Sequence, residues 1–324
     1  MFQNPAEPAR RTRRPVHAAL VFPGQGCQRP GMGRDFHDSS IAARRTFEEA
    51  GDAISLDLRT LCFGEDPRLQ STEFAQPAIL TVEIAMLRVL GERFDLVPDC
   101  YGGHSLGEYT ALVAAGVLPL ADAVRLVRQR GRLMQEAVPA GSGGMTALVG
   151  SPIDRELVAR VLAGTRVWIA NDNSDSQIVL SGASAALSDA VASILELHRQ
   201  PLRAVELAVS APFHSPMMSG IEEYFGQCLR DVLPRIDACR ATLVTSNTSG
   251  GFHDGDAYAL IRALVAQISS PVRWRDNMRA IASRCSRVIE VGPGKPLRPM
   301  FLSLEHGPEI SSVVAVRSLE QLAA

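Results

Sequence analysis

A chain of 324 residues is longer than the usual single domain, so we expect one large domain with a smaller insert, or two domains. Its hydrophobic content of 46% is enough to fill a large core, and no run of about 18 uncharged apolar residues is present, which predicts a soluble protein without a membrane span. The net charge of −2 gives no reason to expect nucleic acid or an anionic membrane as a partner.

The six cysteines show neither C-x-x-C nor Cys/His ligand spacing, so the sequence predicts no metal site. No apolar segment of a secretory signal is visible, which favours reduced thiols and a cytoplasmic location. Residues 1–15 carry several arginines among prolines, and we expect them to form a disordered tail. An Arg-rich targeting or docking segment is the alternative for this tail.

The first predicted element is a buried strand at Val16–Phe22, a short and mostly apolar run. A loop follows in which Gln25 stands between Gly24 and Gly26. In α/β sheets the ligand crevice lies at the carboxyl ends of the strands, so the Gln25 amide is a candidate donor to an oxyanion. A turn with a solvated glutamine is the alternative interpretation.

Two helices are predicted next, around Ile41–Ala50 and Gln76–Leu90, with loop residues near Gly64 and Pro67 between them. Apolar residues recur at helical spacing along the second segment, which indicates a helix packed in the core.

A strand–turn–helix pattern comes next, and it carries the candidate nucleophile. The strand is predicted to begin at Leu96, and Gly103-His104-Ser105-Leu106-Gly107 has the G-x-S-x-G spacing of a nucleophile elbow. Helix-forming residues follow up to Ala115, and Gly116 is the expected helix C-cap. The glycines permit a sharp turn that exposes the hydroxyl of Ser105. Chance occurrence of the motif is the alternative.

The segment Leu120–Ala137 predicts an amphipathic helix that carries an arginine on its apolar face. At 100° per residue Arg130 falls in the middle of the apolar stripe, whereas Arg125, Arg128 and Arg132 lie on the opposite face. A buried charge needs a partner. The guanidinium therefore either forms a structural ion pair with a protein carboxylate or binds a carboxylate of the substrate in a bidentate manner.

Residues 141–206 predict a compact inserted unit. The pattern alternates strands with helices, and the segment around Asn171–Asp175 is predicted to be a loop. The order β-α-β-β-α-β is the ferredoxin-like pattern. The predicted elements are Met145–Val149, Asp154–Leu162, Val167–Ala170, Gln177–Ser181, Ala183–Leu197 and Ala204–Leu207.

The main unit resumes near Val209, and His214 lies between two prolines, so we expect a loop to present it. The remaining histidines outside the elbow motif are interpreted as surface residues: His17, His37, His198, His253 and His306. The later predicted elements are helices at Met218–Leu233, Ala257–Gln267 and Arg275–Ser283, strands at Ala241–Asn247 and Arg287–Val291, and a final helix after Gly294.

Five stretches, in order from about Val16 to about Leu304, resemble the malonyl-CoA:acyl-carrier-protein transacylase family. Their joint occurrence makes chance a poor explanation. They are Phe22-Pro23-Gly24-Gln25-Gly26, Gln76-Pro77-Ala78, Gly103-His104-Ser105-Leu106-Gly107-Glu108-Tyr109, Ser210-Ala211-Pro212-Phe213-His214-Ser215 and Glu290-Val291-Gly292-Pro293-Gly294-Lys295.

The resemblance implies an α/β fold with an α/β-hydrolase-like catalytic domain, residues 16–140 and 207–324, and an inserted ferredoxin-like subdomain, residues 141–206. It also implies a catalytic dyad of Ser105 and His214.

Further site residues follow from the same resemblance. The backbone carbonyl of Gln267 is expected to hold the second nitrogen of the histidine, and Gln25 with the backbone N–H of Leu106 is expected to form the oxyanion hole. Arg130 matches the carboxylate-binding arginine of the family. Phe213, His104 and Gln76 are expected to be further substrate-binding residues, and Phe213 is expected to favour malonyl over branched acyl groups.

The implied reaction moves a malonyl group from malonyl-CoA to the phosphopantetheine thiol of an acyl carrier protein through malonyl-Ser105, with ping-pong kinetics, no bound cofactor and no metal. The enzyme is expected to be a monomer that serves fatty acid or polyketide synthesis. An acyl hydrolase that clears stalled carrier proteins, and a non-catalytic carrier-docking scaffold, are the alternatives. Two residues depart from the family pattern: Cys27 stands where many members have serine, and Asp175 where many have proline.

Overall fold

The computed structural model describes residues 16–139, 141–150, 152–209 and 211–322. The prediction of a disordered tail at residues 1–15 concerns residues outside these ranges. The helices are α1 (Arg34–Ser39), α2 (Ile41–Ile54), α3 (Leu58–Phe63), α4 (Thr72–Arg93), α5 (Leu106–Ala114), α6 (Leu120–Glu136), α7 (Arg155–Leu162), α8 (Ser184–Leu197), α9 (Glu222–Val232), α10 (Ala257–Ala266), α11 (Trp274–Ala282) and α12 (Arg298–Leu302). The strands are β1 (Val16–Phe22), β2 (Leu96–Gly103), β3 (Gly143–Val149), β4 (Val167–Ser174), β5 (Gln177–Ala183), β6 (Arg203–Glu206), β7 (Thr245–Ser246), β8 (Gly251–Phe252), β9 (Arg287–Val291) and β10 (Glu309–Val313).

A four-stranded parallel sheet with the order β10-β9-β1-β2 lies at the centre of the fold. Phe22 at the end of β1 pairs with Gly103 at the end of β2, so the loops after both strands leave the same edge of the sheet. Because parallel strands end together, this register brings Gln25 and Ser105 to one crevice.

Helix α4 lies in the core beside the parallel sheet and contacts α2, α5 and α6. Its length and composition would allow it to cross a membrane, but 78% of its most apolar window is buried inside the protein. Glu83 and Arg88 interrupt its apolar run, which is why the sequence showed no uncharged stretch of that length. The burial of α4 is that of a core helix.

A second, antiparallel sheet has the order β4-β5-β3-β6, and helices α7 and α8 contact it and each other. The predicted order of two helices and four strands is therefore present. The prediction of a loop at Asn171–Asp175 was wrong, since β4 continues to Ser174. Asn171 and Asp172 pair with β5, and Asp172 N also donates to Val272 O at 2.9 Å. Backbone pairing on both sides overrides the loop preference of these polar residues.

Three predictions in the C-terminal third need correction. The predicted helix Met218–Leu233 is a 3₁₀ segment, Pro216–Ile221, followed by α9. The predicted strand Ala241–Asn247 begins in a 3₁₀ turn, Ala238–Leu243, and is extended only from Val244 through β7. Strand β10 was not predicted, because an edge strand with the sequence Glu-Ile-Ser-Ser-Val carries little apolar signal.

Candidate active site

The G-x-S-x-G motif forms the turn between β2 and α5. Ser105 has φ 52° and ψ −105°, a strained conformation for a residue with a side chain. A Cβ on Gly103 would lie 1.9 Å from the backbone of Gly107, and a Cβ on Gly107 would lie 2.1 Å from Phe22 O. Only glycine fits at both positions. The close packing of helix on strand therefore presents the Ser105 hydroxyl from the end of the sheet.

His214 lies in a loop, as predicted, with a φ of 56°. Its Nε2 lies 2.8 Å from Ser105 Oγ, and its Nδ1 lies 2.8 Å from the backbone carbonyl of Gln267. Because a carbonyl only accepts, Nδ1 carries the hydrogen, and Nε2 accepts from the serine. Burial, and next the positive charge of Arg130, lower the pKa of His214 to about 3, so the free imidazole is neutral and oriented as a base.

Arg130 on α6 is 1% exposed, so its predicted burial is confirmed. Its Nη1 donates to Gln76 Oε1 at 2.9 Å, and its Nη2 donates to Gln267 Oε1 at 2.8 Å and to Ser105 Oγ at 3.2 Å. The guanidinium also lies 5.5 Å from the ring centroid of Tyr109. Every one of these recorded partners is neutral.

The electrostatics at Arg130 follow from this environment. Burial lowers the pKa of Arg130, while Tyr109 and Glu108 shift it in the opposite direction. Among the described residues no carboxylate lies within ion-pair distance of the guanidinium, and its Nε has no hydrogen-bond partner. The structural ion pair considered from the sequence is therefore not what holds Arg130, and its charge remains able to attract an anion.

A cavity of about 650 Å³ contains most of the predicted site residues. It is lined by Gln25, Gln76, His104, Ser105, Leu106, Arg130, Phe213 and His214, together with residues of the second sheet and of the segment 296–300. Gln267 does not line the cavity, but it forms hydrogen bonds with three residues that do: Ser105, Arg130 and His214. The cavity thus lies between the two sheets, and a ligand that enters it can reach the hydroxyl of Ser105.

The two predicted oxyanion donors lie just after the ends of β1 and β2, Gln25 in the loop that follows β1 and Leu106 at the start of α5. Leu106 is the first residue of α5, where backbone N–H groups have no acceptor within the helix. Gln25 Nε2 donates to Thr72 Oγ1 at 3.1 Å. An amide carries two N–H groups, so this bond leaves one for a ligand.

His104 borders the cavity from the side of the second sheet. Its Nε2 lies 2.8 Å from Asn173 Oδ1 and 3.2 Å from Asn171 Nδ2. Burial lowers its pKa, so the ring is neutral and serves as a hydrogen-bonding group rather than a cation. Both asparagines come from the part of β4 that was predicted to be a loop.

Three residues beneath the elbow were missed as site residues. Asn247 Oδ1 accepts from Ser105 N at 2.6 Å, and the carboxylate of Glu108 accepts from Asn247 N, from Gln267 Nε2 and from His253 Nε2. His253 is buried, and so is His198 in the second sheet's part of the chain, so the interpretation of these two histidines as surface residues was wrong. Glu108 was visible in the motif, but nothing in the sequence linked it to residues about 140 positions away.

A second group of arginines lies where β4 meets α11. Arg155 and Arg275 both pair with Asp172, at 2.6 and 3.3 Å, and Arg275 also pairs with Asp175 at 2.9 Å. Arg279 lies 3.6 Å from Asp175. We call these five residues the outer arginine cluster. Each guanidinium in it already faces a carboxylate.

Comparisons with known proteins agree on one relationship. The model of the acyl transferase domain family matches residues 19–297. A malonyl CoA-acyl carrier protein transacylase of Bacillus subtilis is 41% identical over 287 residues, which cover 86% of this chain and 87% of the relative. The crystal structure of the transacylase of that name from Clostridium perfringens has a TM-score of 0.86 at 34% identity and covers 95% of this chain and 96% of its own. A structure described as a type II PKS acyl-carrier protein in complex with its malonyl-transacylase has a TM-score of 0.86 at 33% identity and covers 94% of this chain and 98% of its own.

Proposed function

The chain belongs to the malonyl-CoA:acyl-carrier-protein transacylase family, and on that basis we propose that it transfers a malonyl group from malonyl-CoA to the phosphopantetheine thiol of an acyl carrier protein. The observation that carries the proposal is the position of Arg130, a buried cation with neutral partners beside Ser105 and His214. A malonyl group is an acyl chain that ends in a carboxylate. It therefore supplies both the electrophile for the serine and the anion for the arginine.

In the first half-reaction the Ser105 hydroxyl attacks the thioester carbonyl and gives its proton to His214 Nε2. The carbonyl oxygen becomes an oxyanion, which Leu106 N–H and the free N–H of Gln25 stabilise by about 3 kcal/mol for each well-placed donor. The carbon–sulfur bond then breaks. The departing coenzyme A sulfur takes the proton from His214, and malonyl remains as an ester on Ser105.

The second half-reaction runs the same steps in reverse with a new thiol. His214 takes the proton of the phosphopantetheine thiol as its sulfur attacks the malonyl-Ser105 ester. The ester bond breaks, and Ser105 recovers its proton from the imidazolium. The Gln267 carbonyl keeps Nδ1–H fixed throughout, so that Nε2 always faces the serine. Because one site serves both halves, ping-pong kinetics follow. No bound cofactor takes part in any step.

The remaining cavity residues are proposed to shape acyl-group preference. Gln76 holds one side of the Arg130 guanidinium, and Phe213 lies in the cavity wall beside His214. A filled wall at that position favours an unbranched malonyl unit over a branched one. His104 offers a neutral hydrogen-bonding group to the substrate.

The finer description of the architecture is also a proposal. The parallel order β10-β9-β1-β2 with the elbow after β2 favours an α/β-hydrolase-like catalytic domain, residues 16–140 and 207–324. The antiparallel order β4-β5-β3-β6 favours a ferredoxin-like subdomain, residues 141–206. The cavity lies between the two, which suits a substrate as long as the phosphopantetheine arm.

The acceptor is an acyl carrier protein, which supplies the phosphopantetheine thiol. We further propose that the enzyme acts as a monomer in the cytoplasm. Several arginines that could attract an acidic carrier are engaged within the chain: Arg273 pairs with Asp276, and Arg275 and Arg279 pair with Asp175. Their charge is already balanced, so they contribute less to docking than their number suggests.

Intact-protein mass spectrometry after mixing with malonyl-CoA tests the proposal. We expect a malonyl adduct on wild type, none on Ser105→Ala, and loss of the adduct when a carrier protein with its phosphopantetheine arm is added. The malonyl group must then appear on the carrier. Absence of both products would contradict the transferase function. Release of free acid faster than transfer to the carrier would identify a hydrolase instead.

A further inference from the structure

Glu108 is a buried carboxylate to which the proposed chemistry assigns no step. It lies on α5, one helical turn after Ser105, and is 1% exposed. A carboxylate in such a position needs several donors. It has three: Gln267 Nε2 at 2.6 Å, Asn247 N at 3.1 Å and His253 Nε2 at 2.9 Å.

The bond to Gln267 fixes which way that side-chain amide points. Gln267 Nε2 donates to Glu108 Oε2 and, at 3.1 Å, to Ser105 O, while Gln267 Oε1 accepts from Arg130 Nη2 at 2.8 Å. In the opposite orientation an NH₂ group would face the guanidinium and a carbonyl would face the carboxylate. Both contacts are repulsive, and the carboxylate, which only accepts, therefore selects the observed orientation.

The backbone of the same residue holds the catalytic base. His214 Nδ1–H donates to Gln267 O, and Gln267 comes directly after α10, at a helix end whose backbone is held less firmly than the interior. A fixed side chain anchors that carbonyl. One glutamine thus links the base, the nucleophile and the arginine, and its anchor is Glu108.

We infer that Glu108 is a positioning residue, which fixes the Gln267 side chain so that Gln267 holds both Arg130 and His214 in reactive geometry. Glu108 does not touch the reacting atoms, and its effect passes through Gln267. This inference rests on the proposed function for its kinetic test, but the geometry it describes is independent of the substrate.

The test replaces the carboxylate of Glu108 by side chains of similar volume. Glu108→Met removes all acceptors, and because a displacement of about 1 Å costs on the order of 10²-fold in rate, we expect malonyl loading of Ser105 to slow by that factor. Glu108→Gln keeps an oxygen for Gln267, since neutral His253 can accept from the new amide in its other tautomer. We therefore expect Glu108→Gln to recover loading to within about 10-fold of wild type.

Glu83→Met is the matched control. Glu83 is a fully buried glutamate on α4 that accepts from Thr110 Oγ1 on the same helix as Glu108, but in the described part of the chain it makes no hydrogen bond to Gln267. We expect Glu83→Met to load at the wild-type rate. Equal loss in Glu83→Met and Glu108→Met would overturn the inference, because the loss would then reflect the core and not Gln267.

A double-mutant cycle tests the path through Gln267. Gln267→Met keeps the backbone carbonyl and removes the side-chain bonds, so we expect it to slow loading about as much as Glu108→Met, with little added by the second substitution. Additive losses would contradict the inference. If Glu108→Met does not fold, the same cycle is run with Glu108→Gln: no further loss of loading in the Gln267→Met background supports the inference, and an additive loss overturns it.

A spectroscopic measurement separates this inference from the proposed function. The His214 Nδ1 proton should give a downfield ¹H NMR resonance in wild type and in Glu83→Met, assigned by its loss in His214→Asn. We expect that resonance to shift and broaden in Glu108→Met as the Gln267 carbonyl loosens. An unchanged resonance would overturn the positioning role, whereas failure of wild type to load malonyl with the resonance behaving as expected would contradict only the proposed function.

Discussion

Arg130 and the outer arginine cluster place the same side chain in opposite environments. Arg130 is almost fully buried and faces only neutral acceptors, whereas Arg155, Arg275 and Arg279 are partly exposed and face Asp172 or Asp175. A buried cation without a carboxylate is the more costly arrangement in the free protein. This contrast is what the proposed role of Arg130 requires, since a guanidinium that is to bind a substrate carboxylate cannot already be paired with a carboxylate of the protein.

Removal of the guanidinium of Arg130 is expected to have the largest effect on acyl-group selectivity. We expect Arg130→Ala to slow loading by malonyl-CoA on the order of 10²- to 10³-fold, because the substrate carboxylate would be left in the cavity without a partner. Loading by acetyl-CoA should change far less, since it brings no carboxylate. The measurement is the rate of Ser105 acylation by each thioester, with Arg132→Ala, an exposed position on the same helix, as the control. An equal fall for both thioesters would assign Arg130 to structure.

The positive charge of Arg130 also lowers the pKa of the neighbouring His214. Burial and Arg130 lower its pKa to about 3, whereas an unfolded histidine titrates near 6.5. The unfolded chain therefore binds the proton first as the pH falls, and the stability that the neutral ring contributes is present above pH 6.5 and is lost progressively down to about pH 3.

Between pH 7 and pH 5 this loss amounts to about 2 kcal/mol in the free energy of unfolding, at about 1.4 kcal/mol for each pH unit below 6.5. His214→Asn cannot titrate there, so we expect its stability to fall by about 2 kcal/mol less than that of wild type over the same interval. Denaturant unfolding at the two pH values measures the difference, and His306→Asn, at an exposed site, is the control. Parallel losses in wild type and His214→Asn would contradict the lowered pKa.

A site residue could be predicted from the sequence where the signal lay within one short segment, and not where it depended on a contact between distant segments. The burial of Arg130 followed from the periodicity of one helix, and the elbow at Ser105 followed from five adjacent residues. Glu108 and His253 gave no such signal, because their contact joins α5 to a loop after β8 and only the folded chain brings them together. Local pattern therefore predicted the position of the candidate nucleophile and of the buried cation, but not the residues that contact them.

The same limit explains the errors in the fold. Asn171 and Asp172 have the composition of a loop, and their strand conformation depends on pairing with β5 and on the contact with Val272. Tertiary pairing overrode local preference there. The parallel strand β1 needed no such help, since its apolar run is buried on both faces.

We expect substitutions in the outer arginine cluster to change the free energy of unfolding but not the preference for malonyl over acetyl groups. Asp172 pairs with both Arg155 and Arg275, and each of the three side chains is between 20% and 24% exposed. Asp172→Asn should lower the free energy of unfolding by about 1 to 2 kcal/mol, since two guanidinium groups would lose their carboxylate. The ratio of malonyl to acetyl loading should stay that of wild type. A changed ratio would mean that this cluster, too, controls substrate choice.

The smallest effect is expected at Asp175, whose side chain is about half exposed. Its carboxylate is directed to Arg275 and Arg279 on α11 and not to Arg130, so its departure from the family pattern should not alter the acyl group transferred. We expect Asp175→Ala to cost at most about 0.5 kcal/mol, and this difference should disappear near 1 M salt, where the screening length is about 3 Å. Stability curves at low and high salt, with malonyl and acetyl loading measured in parallel, test both points. A loss that persists in salt would show that Asp175 acts through packing of β4 and not through its charge.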